Sequence, residues 1–273
     1  MKISPEQIMF ECHPVSSAKK AEISAQNRTV LYHCTSLDVA KIILHNKELR
    51  FSRIDAPQLN DQEEYKKFED GICRLVFLSC FSTVEQQAEA FFQEYGDKQG
   101  VIIKFKIKAP PFRTALFNFE QPVRATLPEN AIMEPLFLDH LNHRECILKE
   151  GKKVQNWQVE VLQRDVVYNL DEFKLNPIRY SNDALGYMYN LTAMGVIKDP
   201  KWENEKESRF LAVLRPIKGS VEIPNIEYLY VPIHFPLLEE IEIIYKEPVT
   251  TEQIREAFDQ LLTDVPHRYK KLM

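Results

Sequence analysis

Residues 73–82 read CRLVFLSCFS, an almost unbroken apolar run. A strand with one wet face alternates apolar and polar residues, whereas a run without alternation has to be covered on both faces. The segment therefore predicts a central strand, and the rest of the chain must supply the layers that cover it. The material is present: 44% of the 273 residues are hydrophobic and 27% charged, the proportions of a globular chain rather than a disordered or fibrous one. Length alone allows one large domain or two small ones.

From Thr29 the text is TVLYHC, rich in β-formers. Ser36 then offers an N-cap, and Leu37, Ala40, Ile43 and Leu44 recur at helical spacing. The reading is a strand followed by a helix. ELRFSR at 48–53 alternates like a second strand before Pro57, Asn60 and Asp61 break it. Thr83 and Gln86 match a capping box for a helix reaching about Tyr95, and GVIIKFKI at 100–107 follows a turn marked by Gly96 and Gly100. Pro110, Pro111, Pro122, Pro128 and Pro135 punctuate the next stretch, ahead of a predicted helix over 136–149. Further strands are expected at 157–168, 177–180, 205–214, 228–233 and 241–245. Thr250 with Gln253 opens a last helix, TEQIREAFDQLLTD, with Ile254, Phe258 and Leu261 on one stripe. Strands and helices mix without a regular βαβ cadence. The expected class is α+β: a split mixed or antiparallel β-sheet core with flanking helices, one domain over 28–273 behind an N-terminal extension, residues 1–27.

The charge balance narrows the partners. Lys and Arg total 35 against 40 Asp and Glu, a net −5, so non-specific attraction to nucleic acid or to an anionic membrane is not favoured. No stretch approaches the roughly 20 apolar residues that span a bilayer, and the first 20 residues lack the apolar core of a signal peptide. A cytoplasmic protein without a membrane partner is the expectation. Cys12, Cys34, Cys73, Cys80 and Cys146 form an odd set without a pairing pattern, as reduced thiols would. The seven glycines form neither GxGxxG nor GxxxxGK[ST], which excludes the glycine-rich phosphate loops.

Four local constellations bear on chemistry. On a strand, His33 and Thr35 face opposite to Tyr32 and Cys34, so His33 and Cys34 do not form a dyad; a histidine satisfied by a backbone partner is the plain alternative. If ENEKESRFLAVL enters a strand near Glu205, Glu205 and Glu207 project from one face about 6.5 to 7 Å apart. Such a pair in a cleft has its ionisation driven apart, one carboxylate stabilising a cationic sugar and the other orienting a nucleophile. A solvated strand edge neutralised by Lys206 and Arg209 is the alternative. Lys104, Lys106 and Lys108 share a face that would guide phosphates or guard an edge strand. His140, His143 and Cys146 lack a fourth ligand, so no metal is expected.

The ordered motifs resemble a known superfamily. Tyr32, His33, Cys34, Thr35 and Ser36, then Ile42, Ile43, Leu44, then Leu49 and Arg50, resemble the Y-H-G-T-S opening, the helix and the return strand of ADP-ribosyltransferases. The chain is still more similar to a bacterial and phage family catalogued as a domain of unknown function, which opens L-Y-H-Y-T-S and reads as a distant branch of that superfamily. Downstream, Ser52 and Arg53 with Asn60, Asp61 and Glu64 resemble its S-R and N-D-x-x-E loop, and Ser79, Cys80, Phe81 and Ser82 its C-F-S strand. Tyr95, Gly96 and Gly100 to Phe105 resemble its Y-G turn and strand, and Lys201, Trp202, Glu205, Lys206, Glu207 and Arg209 its W-x-x-E-K-E-W-R. The series spans roughly residues 30 to 215.

The resemblance implies an enzyme that takes NAD as substrate and passes ADP-ribose to a protein or nucleic-acid acceptor, or to water. His33 would bond a ribose hydroxyl, the backbone of Cys34 would hold the nicotinamide amide, and Glu207, with Glu205 nearby, would serve the nicotinamide ribose. Thr35 would join the residues that bind NAD, and Ser79 and Ser82 would line the cleft. Phe81 or Tyr95 would stack on nicotinamide, each equally at home in a core. Arg53 would grip the pyrophosphate, or pair with Asp55 or Glu64. Relatives include toxins and phage-defence effectors. Cys34 for Gly, Phe92 for Trp and Ser208 for an aromatic depart from the pattern. They keep open a nucleotide-binding module without turnover, and an RNA 2′-phosphotransferase relative fits the opening motif too.

Overall fold

Ten strands join in one mixed sheet in the computed structural model, which describes residues 2–3, 24–25, 28–56, 71–86, 90, 100–108, 115–116, 157–171, 179–182, 186–216, 221–223 and 227–272. In chain order the elements are β1 (Val30–Ser36), α1 (Leu37–Asn46), β2 (Glu48–Arg53), β3 (Val76–Ser82), β4 (Gly100–Ile107) and β5 (Ala115–Leu116). They continue as β6 (Trp157–Asp165), β7 (Glu207–Pro216), β8 (Tyr228–Pro232), β9 (Leu238–Tyr245), α2 (Thr251–Phe258) and β10 (His267–Lys271). The path across the sheet runs β10-β9-β4-β1-β3-β7-β6-β5, with β8 on β2 and β2 on β3.

β3 is central, as its apolar run demands. Val76, Phe77, Leu78 and Phe81 are all at most 3% exposed. The strand starts later than the run because Gly71, at φ 99°, turns Ile72–Leu75 into a 3-10 helix. One edge of β3 serves two partners. Tyr32 of β1 meets Ser82, whereas Ser52 and Arg53 of β2 meet Leu78 and Phe77. Beyond Tyr32, β1 departs with β4, to which it is paired from Val30 to Ser36. The sheet thus divides into β10-β9-β4-β1 and β8-β2-β3-β7-β6-β5, and the wedge between them opens beside Cys80.

The helices follow from their spacing. α1 buries Leu37, Ala40, Ile43 and Leu44, and the Ser36 hydroxyl accepts from the Val39 N–H at 3.3 Å. Ser36→Ala is expected to cost about 1 kcal/mol, read as a lower urea midpoint with unchanged slope. α2 carries the complete Thr250/Gln253 capping box but ends at Phe258, so Leu261 packs on the core from the turn that follows. β10 was not expected: HRYKK is polar, yet it lies parallel to β9 at the sheet's rim.

Three expectations need correction. The strand expected from residue 205 begins at Glu207. The stretch 157–168 breaks between Asp165 and Val167, and Val167–Tyr168 pairs instead with Ile197–Lys198. β4 lies inside the sheet, where Lys104 pairs with Glu242 at 2.9 Å and Lys106 with Glu239 at 2.5 Å, so cross-strand acids rather than an exposed edge explain these lysines. The helix expected over 136–149, with His140, His143 and Cys146, lies outside the described residues, as do Phe92 and Tyr95. Among the described residues no helix is long and apolar enough to cross a membrane.

Candidate active site at the split of the sheet

Entry into β7 is set by two caps. The Asp199 carboxylate accepts from the Lys201 N–H at 2.9 Å and starts the 3-10 helix Pro200–Glu205. Lys206 then turns left-handed, at φ 44° and ψ 52°. Thr83 holds that turn, since its N–H (3.0 Å) and its hydroxyl (2.7 Å) both donate to the Lys206 carbonyl. Glu205 is therefore not a strand neighbour of Glu207, as the sequence suggested. The kink swings it back to the same ammonium that Glu207 reaches.

That ammonium is Lys198, which the sequence reading missed. Its Nζ donates to Glu205, and to Glu207 Oε2 at 3.3 Å. Arg209 grips Glu207 in a fork, Nε to Oε1 and Nη2 to Oε2, both at 2.9 Å. Its Nη1 donates to the Gly195 carbonyl at 2.6 Å. Gly195 sits at φ 69°, a left-handed backbone that other residues rarely adopt, and a Cβ there would press on Ile54 at 3.1 Å. Glu205, Glu207, Lys198 and Arg209 are all at most 8% exposed. Trp202 lies under Lys198 at 5.0 Å, and the Glu207 N–H donates to the Tyr168 hydroxyl at 3.1 Å.

The two carboxylates are driven apart. Burial pushes Glu207 upward, but Arg209 and Lys198 outweigh it and hold its carboxyl at about 2. For Glu205 burial prevails over Lys198, with the charge of Glu207 adding to it, and the carboxyl is raised. Lys198 is opposed by burial, yet the two carboxylates raise it. Burial and the neighbouring Glu207 push the Cys80 thiol well above its ordinary value, so it donates to Glu207 rather than acting as a nucleophile.

Tyr32, Ser82 and Glu207 form one row across β1, β3 and β7. At about 4.8 Å per strand, the opening motif and the late glutamate lie roughly 10 Å apart in backbone. Opposed residues share a face, so Tyr32, Cys34, Cys80, Ser82, Arg209 and Glu207 point one way. His33 points the other way. Its imidazole does not look at Glu207 across a hollow, the arrangement the sequence suggested. It meets the Cys80 carbonyl through Nδ1 at 3.3 Å and tilts against Phe81 at 5.3 Å, filling the wedge where β1 departs. Burial lowers its pKa, so the ring is neutral at neutral pH. A carbonyl only accepts, hence Nδ1 carries the hydrogen and Nε2 is the acceptor nitrogen.

The other candidates spread out. Burial pushes the Cys34 thiol up to about 12, and the side chain packs with Tyr32, Ile102 and Ile244. Thr35 lies opposite Val101 on the His33 face. Arg53 pairs with Asp55 and lies opposite Phe77, roughly 17 Å along β3 from Ser82, so it does not join the Glu207 row. Ser79 is buried on the Phe81 face, and the Ser82 hydroxyl donates to the Val84 carbonyl at 3.0 Å. Phe81 is 3% exposed and packs edge-on to Phe105 and Phe210, which places it in the core. Tyr95 lies outside the described residues. Among the described residues no three His, Cys, Asp or Glu side chains gather as a metal site.

No family model matches the chain, and no curated protein matches it. Among solved structures, DarT from Thermus sp. 2.9 in complex with NAD+ superposes with a TM-score of 0.31 at 11% identity, over 90% of this chain and 96% of that one. The same protein in complex with ADP-ribosylated ssDNA gives a TM-score of 0.32 at 11% identity, over 90% and 94%. Its complex with carba-NAD+ gives 0.29 at 12% identity, over 89% and 96%. Overlap at these scores is extensive in length and loose in geometry, so the chemistry is read from the side chains alone.

Proposed function

We propose that the chain is an NAD-dependent ADP-ribosyltransferase-type enzyme acting on a protein or nucleic-acid acceptor. One observation carries the reading: two buried carboxylates share Lys198 with opposite shifts in ionisation, and one of them, Glu207, stands in the cross-strand row that holds Tyr32 of the Y-H-C-T-S strand. Cleavage of the nicotinamide–ribose bond sends the bonding pair out with nicotinamide and leaves positive charge on the ribose. Glu207, ionised throughout the neutral range and aligned by Arg209, stabilises that charge. The acceptor's lone pair then bonds the anomeric carbon, and its proton passes to Glu205, whose raised pKa makes it the better base. His33 fixes the wedge through Cys80 from the face opposite Glu207, while Cys34 offers its backbone.

A second reading, a nucleotide-binding module without turnover, is favoured by the engagement of both carboxylates with cations at 8% exposure. Nicotinamide release from NAD decides between them. The parent is expected to release nicotinamide, and Glu207→Gln to do so about 10²- to 10³-fold more slowly. NAD binding by calorimetry, with no release from the parent, would establish the module instead.

A further inference from the structure

On the face that carries Glu207, a second polar cluster lies across β1, β4 and β10. Its centre is the carboxylate of Glu85, three residues past the end of β3 (85 − 82). The Tyr32 hydroxyl donates to Glu85 Oε2 at 3.2 Å, and Lys104 Nζ lies 3.5 Å from the same oxygen. Lys270 takes Oε1. Three donors from three strands thus converge on one carboxylate supplied by a connecting segment. An ordinary exposed ion pair needs one partner and contributes little. A convergent set of this kind is what a phosphate's oxygens require.

The surroundings fit that use. Lys104 also meets Glu242 at 2.9 Å, and Arg268 in turn neutralises Glu242 at 2.8 Å and Glu240 at 3.2 Å. With Glu85 out of the seat, Lys104, Lys270 and Arg268 face Glu240 and Glu242, a balance of +3 − 2 = +1. Lys270 is 43% and Glu85 25% exposed in its side chain, so a ligand can reach the seat and Glu85 can leave it. Tyr32 stands in the same cross-strand row as Glu207, two strands away, which puts the seat on the same face of the sheet as that carboxylate.

We propose that Tyr32, Lys104 and Lys270 form an anion seat for the pyrophosphate of a dinucleotide, and that Glu85 is its resident counter-ion, displaced when the ligand binds. The choice of a dinucleotide rests on the transferase reading; the seat itself does not. Glu85→Gln keeps the shape and removes the competing charge. Calorimetry at low ionic strength is expected to show this variant binding inorganic pyrophosphate and ADP-ribose about tenfold more tightly than the parent. Adding Lys270→Gln, a change at an accessible side chain that leaves the core intact, is expected to abolish that gain. Equal binding by parent and Glu85→Gln, or a gain that survives Lys270→Gln, overturns the seat. A gain confined to inorganic pyrophosphate, with none for ADP-ribose, overturns the dinucleotide assignment. If the seat behaves as expected while NAD yields no nicotinamide, the transferase reading falls and the seat stands. Nicotinamide release without any effect of Glu85→Gln on binding sinks the seat alone.

Discussion

Arg209→Met is expected to lower the free energy of unfolding by roughly 3–5 kcal/mol, the cost of leaving one partner of a buried ion pair behind. Methionine fills the space but removes the fork onto Glu207 and the bond to the Gly195 carbonyl. Among the described residues Lys198, at 3.3 Å and shared with Glu205, is then the one cation left on Glu207. The pH dependence identifies the cause. In the parent, Glu207 is depressed from 4.5 to about 2, so its contribution is complete above pH 4.5 and is lost as pH falls towards 2. Without Arg209 most of that depression is gone, and the gap between parent and variant should narrow over the same interval. Urea unfolding at pH 7 and pH 3 measures this. A cost below about 1 kcal/mol, unchanged with pH, would mean that the fork holds little of the fold. Glu207→Met combined with Arg209→Met is expected to recover part of the loss, since an apolar pair leaves no charge stranded.

Most of what frames this site is legible in the sequence. The β-rich text at Tyr32, the Ser36 cap with its four apolar positions, ELRFSR and GVIIKFKI each became the expected element because local pattern and tertiary burial agree there. What failed depends on relations between distant residues. The left-handed turn at Lys206 is held by Thr83, 123 positions away, and nothing near Lys206 announces it. The face of His33 relative to Glu207 is fixed by the pairing of Tyr32 with Ser82 and of Ser82 with Glu207, and a shift of one residue would have reversed it. Lys198 had one faint signal, a lysine closing the apolar GVIK run just before Asp199 and Pro200. A buried lysine needs a counter-charge, and two glutamates lie within nine residues of it. β10 gave none, because a polar rim strand is recognised only by the strand it joins.

Glu205→Gln is expected to reduce transfer from NAD by about 10²- to 10⁴-fold, the usual contribution of a positioned general base. Its pH profile separates this from a general weakening of the site. A base works ionised, and Glu205 is raised from 4.5 by burial and by Glu207, so the parent's rate should climb with pH through a point above 4.5. In Glu205→Gln that acidic limb should vanish and leave a flat, slow rate. Glu207→Gln should be slow too, yet keep the limb, because Glu205 is still present. Stability provides the control. Lys198 keeps Glu207 as a counter-ion when Glu205 is neutral, so Glu205→Gln should destabilise the protein much less than Arg209→Met. A variant that unfolds as readily as Arg209→Met would make Glu205 a structural acid. A Glu205→Gln profile that retains the acidic limb assigns the proton to another group.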